Sequence, residues 1–154
     1  MAAGIERDLD TEIRRVMEGV GRCLLIYQRI ELYLKYLLPH VVGPNETPGD
    51  TFAQWRSLLD SKTTLGPLVE RLRESVRSSD PTGFDGYIGE LVEQRNEFIH
   101  HFSRQPFARL SSLEECGAAL AHLDARLQFA LPLHQALDGA LKQFRDALVE
   151  ARGQ

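Results

Sequence analysis

Apolar residues recur along this chain at steps of three and four, and no stretch alternates apolar with polar side chains as a half-buried strand would. The spacing therefore predicts helices only. Leu9, Ile13, Val16, Val20, Leu24, Tyr27, Ile30, Leu34 and Leu38 share one face of a helix predicted over Glu6–Leu38. Gly19 and Gly21 weaken its middle. Pro39, Gly43, Pro44, Pro48 and Gly49 end it in a loop. A short helix is predicted over Thr51–Leu59. A longer one starts near Thr63 or Thr64, whose hydroxyl can cap it, and runs to Val76. Pro67 lies in its first turn, where proline is tolerated. The run Ser78–Gly83 reads as a loop. A third main helix follows over Phe84–Phe102, with Ile88, Leu91, Val92, Phe98, Ile99 and Phe102 on its apolar face, and a break over Ser103–Leu110 contains Pro106.

Ser112 and Glu115 have the spacing of a capping box that opens the last helix. From there Leu113, Cys116, Leu120, Leu123, Leu127, Ala130, His134, Leu137, Leu141, Phe144 and Leu148 alternate steps of three and four, a heptad seam. A straight helix over 112–151 would be about 60 Å long. Pro132 cannot donate to Gln128, so it is expected to kink or split that helix. The seam serves packing within the bundle, and after Pro132 it serves a dimer equally well. The fold expected is all-α: an up-and-down bundle of about five helices with a long kinked C-terminal helix.

Composition narrows the classes. The chain has 154 residues, which predicts a single domain over 1–154 able to bury a core without disulfide or metal staples. Hydrophobic residues are 43% and charged residues 26%, as in ordinary globular proteins. Net charge is −4, which argues against tight binding to long duplex DNA but leaves room for a compact nucleic-acid site. Arg15, Arg22 and Arg29 keep seven-residue spacing opposite the apolar stripe and read as a solvated edge. Cys23 and Cys116 are far apart and fit a reducing cytoplasm rather than a zinc site. No apolar run approaches membrane-spanning length, and the acidic start lacks the core of a signal peptide.

The chemistry concentrates in Glu93–Phe102. Arg95 falls near the middle of the apolar face, where a permanent charge needs a carboxylate, a carbonyl, a phosphate or an opening into a cleft. Asn96 and His100, four residues apart, share one edge of the helix, so an amide there can orient an imidazole. Glu31 also falls on an apolar face, that of the first helix. It is expected to reach either Arg95 or the helix start near Thr63–Leu65; pairing with Lys35 at the stripe's edge is the plainer alternative.

Arg95-Asn96-Glu97-Phe98-Ile99-His100 resembles the R-φ-x3-H signature of HEPN domains, in which φ is usually polar. The motif's place in a late central helix, between a long first and a long last helix, is similar as well. Thr64-Leu65-Gly66 with Leu68-Val69 also looks like members of the group. The resemblance implies a homodimeric, metal-independent endoribonuclease whose motif helices line a shared cleft, a toxin or phage-defence effector in the cytoplasm. On that likeness Arg95 would hold the scissile phosphate. His100 would move a proton at the ribose 2′-hydroxyl or the leaving 5′-oxygen. Asn96 would orient His100 or bind the same phosphate. Glu31, His101 and Lys62 are supporting residues. Products would be a 2′,3′-cyclic phosphate and a 5′-hydroxyl, with no cofactor and no metal. RNA is the implied partner, with a nucleotidyltransferase-type antitoxin as a further one. Toxins of that pairing often carry R-x4-H-x-Y; here His101 and Phe102 stand in the last two places, so control through that tyrosine is not expected.

Other readings stay open: a catalytically silent HEPN-like module binding RNA, nucleotide or protein, or a plain helical scaffold. Without the resemblance, Arg95 is an interface arginine, His100 a half-buried histidine and His101 a solvated residue at the helix end. Glu97-Phe98-Ile99-His100 has the E-x-x-H spacing of di-iron bundles, but no second such pair exists in the chain. His40, His122 and His134 stand isolated, and His134 interrupts the seam, where a polar residue sets register. Trp55 and Tyr87 carry no signal in sequence.

Overall fold

The computed structural model describes residues 8–40, 56–58, 60–75 and 80–153. Helix α1 spans Leu9–Leu37 and closes in a 3-10 turn, Leu38–His40. Helix α2 spans Leu65–Ser75, α3 spans Pro81–His101 and ends in a 3-10 turn, Phe102–Arg104, and α4 spans Leu113–Arg152. There is no strand among the described residues, and the fold is an all-α bundle. Of the short helix expected over Thr51–Leu59 only residues 56–58 are described, and these are helical.

Helices α1 and α4 form the main pair. Contacts advance together along both, from Gly19 on Leu123 to Tyr33 Oη on Asp138 and the ring of His40 on Phe144, so the two run parallel. Helix α3 runs antiparallel to both, with Phe98 against Tyr27 and Tyr87 against Phe129. Gly19 sits at the close approach of the long pair: a Cβ there would lie 3.0 Å from Leu123 Cδ1. The core gathers Val16, Ile30, Leu34, Leu65, Leu68, Ile88, Leu91 and Cys116, all essentially without solvent contact. Each fully buried aliphatic side chain there contributes about 1.5–3 kcal/mol.

Helix α3 begins at Pro81, three residues before the sequence suggests. Asp80 caps it, its carboxylate accepting from the Gly83 amide at 3.0 Å, and Pro81 sits where its missing N–H costs nothing. The capping box forms as expected. Ser112 Oγ accepts from the Glu115 amide at 3.1 Å, and Glu115 reaches back to the Ser111 amide at 2.7 Å.

Of the kink or split expected at Pro132, the split does not occur: Leu113–Arg152 is one helix of 40 residues. Tyr87 explains how. Its hydroxyl donates to the Phe129 carbonyl at 2.9 Å and accepts the Leu133 amide at 3.3 Å. The phenol of α3 thus enters the ladder of α4 one residue past the proline and satisfies both groups. The buried line also differs from the expected seam. Cys116, Ala119, Leu123, Arg126, Ala130, Leu133 and Leu137 are buried, whereas Leu120, Leu127 and His134 are half-buried. The seam keeps its seven-residue period but passes over an arginine. Beyond Phe144, residues 145–152 are all exposed.

Candidate functional site

The second half of α3 sends its side chains in four directions. Phe98 is buried against Tyr27 of α1 and packs edge-on to Phe102, which fixes the helix on the core. Arg95 turns to α1, where its Nη2 donates to Glu31 Oε1 at 2.9 Å. Their side chains are 14% and 19% exposed, so this is a largely desolvated pair rather than a surface one. Of the partners open to Glu31, Arg95 is the one observed. The start of α2 is tied instead by Lys35, whose Nζ donates to the Ser61 carbonyl at 3.0 Å. Lys62, next along, is exposed.

Asn96 and His100 share the solvent-facing edge of α3, and both are exposed. The amide does not orient the imidazole as expected: Asn96 Oδ1 accepts from Arg95 Nη1 at 3.0 Å. His100 makes only a loose ring contact, 6.2 Å between centroids, with the equally exposed His101. At about 100° per residue, Arg95 and His100 lie roughly 140° apart around the helix. The chain therefore presents the guanidinium toward α1 and the imidazole toward solvent, and no hydrogen bond joins them among the described residues. Arg95 Nε is buried and has no hydrogen-bond partner among the described residues.

The fourth direction carries a network that sequence reading missed. Glu97 faces α4 and pairs with Arg126 Nη2 at 2.5 Å. Arg126 Nη1 donates to the Gln94 carbonyl at 3.1 Å, and its Nε donates to His122 Nε2 at 2.7 Å. The Arg126 side chain is 7% exposed and that of Glu97 is 45% exposed. The guanidinium holds the Glu97 carboxyl below its ordinary range. Burial, and then the positive charge of Arg126, hold the His122 imidazole below its ordinary value, in keeping with a neutral ring that accepts a hydrogen bond. Glu97 is thus committed to Arg126, which removes it from any E-x-x-H metal pair with His100.

Two cavities lie away from Arg95 and His100. One, of about 410 Å³, opens between α1 and α4 beside Arg15, Gly19, Arg22 and Asp124. Cys23 reaches it, but its thiol donates to the Leu123 carbonyl at 3.4 Å, and burial raises its pKa to about 11, which leaves it inert as a nucleophile. The other, of about 390 Å³, lies between α3 and α4 over the Glu97–Arg126–His122 network. Among the described residues no helix is long and apolar enough to cross a membrane.

Comparison with protein-family models, with curated proteins and with solved structures gives no match. The fold and the site define an all-α bundle with a polar cluster late in α3.

Proposed function

We propose that this chain is a metal-independent endoribonuclease of HEPN type, acting as a homodimer on RNA in the cytoplasm as a toxin or phage-defence effector. The reading rests on one observation. Arg95 is anchored by Glu31 and Asn96 with N–H donors to spare, and His100, on the same helix, is exposed and makes no hydrogen bond among the described residues. An arginine has five N–H donors, so two fixed contacts orient it without exhausting it. In this reading Arg95 binds the scissile phosphate and stabilises its oxygens as charge develops. His100 transfers the proton, at the 2′-hydroxyl or at the 5′-oxygen. The separation of the two groups around α3 is what a site completed by a second subunit requires.

A second reading is favoured by the same ion pair. Glu31 already neutralises Arg95, so the chain can instead be a silent module that binds RNA without cutting it. Incubation with RNA in EDTA separates the two. The nuclease reading expects chelator-resistant cleavage to 2′,3′-cyclic phosphate ends, reduced about 10²–10⁴-fold by His100→Ala and also lost in Arg95→Ala. Binding without cleavage gives the silent module. Cleavage untouched by both variants removes the site.

A further inference from the structure

Among the described residues, four of the eight exposed large apolar side chains lie on one helix. Met17, Leu24, Leu25 and Leu32 are 59%, 36%, 53% and 41% exposed, and all four belong to α1. With Gly21 and Gln28 they fill a sector of roughly 100° on the side of α1 away from the core. The stripe runs for about 22 Å. Single exposed leucines are ordinary, but four large apolar residues on one face, interrupted by Gln28 alone among polar side chains, mark a binding surface.

We propose that this face is the interface with a second copy of the same chain, with the two α1 helices packed antiparallel about a two-fold axis between Leu24 and Leu25. The order of the residues selects that occupant. An isologous contact needs a patch complementary to itself, in which each residue meets the residue whose own position it occupies in return. Antiparallel pairing about that axis sets Met17 level with Leu32 and Gly21 level with Gln28, and brings Leu24 and Leu25 each beside its own copy at the axis. Every large apolar residue meets another, and the smallest residue faces the longest polar one. Charge agrees on the rim: Glu18 and Arg29, both exposed beside the stripe, fall within about two residues of facing each other, roughly 3 Å along the axis. Helix α3 offers a weaker seat, since Ile99 is its one large exposed apolar residue. Glu31, which holds Arg95, borders the stripe, so the pairing would bring the partner subunit alongside the candidate site. This inference goes beyond the nuclease reading, since it concerns α1 and is tested without RNA.

Sedimentation of the full chain across a range of concentrations is expected to show a monomer–dimer equilibrium. Leu25→Glu places like charges near the axis and is expected to weaken the dimer at least tenfold, while Val149→Glu, more exposed still but on the end of α4, leaves it unchanged. Glu18→Arg weakens it, and adding Arg29→Glu restores it. Circular dichroism of each variant shows that the fold persists. Orientation is read by mixing Met17→Cys chains with Leu32→Cys chains under mild oxidation: the expected cross-link joins one kind to the other. A monomer at every concentration, a dimer indifferent to Leu25→Glu, or Met17→Cys chains linked to each other would overturn the proposal. A monomer that still cuts RNA overturns the interface and the homodimeric part of the nuclease reading but not the chemistry at Arg95 and His100, and a dimer of the expected geometry that does not cut RNA leaves the interface standing.

Discussion

Glu97→Ala is expected to destabilise the protein more than Arg126→Met, although the two residues form one ion pair. The guanidinium is the buried partner, 7% exposed, whereas Glu97 is 45% exposed. Removing Glu97 leaves a buried cation without its counter-ion, a class of change that costs about 3–5 kcal/mol. The Gln94 carbonyl and His122 Nε2 still accept from it, which places the cost at the low end, about 3 kcal/mol. Removing Arg126 instead leaves a carboxylate that water can reach, and methionine fills much of the volume; that cost is about 0–1 kcal/mol. For a domain of this size, Tm should fall by about 6–12 °C for Glu97→Ala and by no more than about 4 °C for Arg126→Met. Urea denaturation at pH 7, followed by far-UV circular dichroism, measures both. The double variant should match Arg126→Met, because the stranded charge is gone. Acidification adds a second readout. The folded His122 pKa lies below its ordinary 6.5, so its contribution is present above pH 6.5 and is lost as pH falls through the folded pKa. Glu97, also depressed, acts with the same sign below its ordinary 4.5. Arg126→Met should flatten the His122 part of that slope. If Arg126→Met proves as costly as Glu97→Ala, the arginine is not a buried charge held by its counter-ion, and the reasoning fails.

Three further outcomes follow from the packing. Glu31→Ala strands Arg95 and should cost about 3 kcal/mol, with Glu31→Gln costing less than half of that because an acceptor remains; chemical denaturation at neutral pH compares them. Tyr87→Phe removes the phenol that serves Phe129 and Leu133 and should cost about 1–3 kcal/mol, read as a shift in the urea midpoint. Gly117→Ala, with open space around its Cβ, should stabilise α4 by about 0.5–1 kcal/mol. Gly19→Ala should fall short of that by about 1 kcal/mol or more, because Leu123 must move aside. Equal thermal shifts for the two glycine variants would contradict the close approach of α1 and α4.

The helices were legible because their apolar residues repeat with helical period and their starts carry capping side chains. The Glu31–Arg95 pair was legible as well, since opposite charges on two inward faces have few other ways to be satisfied. What escaped was set by groups that pattern reading treats as neutral. Arg126 lies seven residues from Ala119 and from Leu133, squarely on the buried line, but the richer row of Leu120, Leu127 and His134 beside it drew the seam one residue over. A glutamate on the facing flank of α3 was the available hint. Tyr87 gave no local signal, because its partners, Phe129 and Leu133, belong to another helix more than forty residues away. The bond from Asn96 to Arg95 depends on rotamers, which spacing does not fix.

The insertion of Tyr87 gives α4 an amide that reports on something other than its own helix. Leu133 N–H is bonded to the phenol of α3, so its exchange with deuterium requires the two helices to separate at that point rather than α4 to fray. A single resonance can therefore serve as a gauge of whether the motif-bearing helix is seated, in the free protein and in the presence of RNA alike.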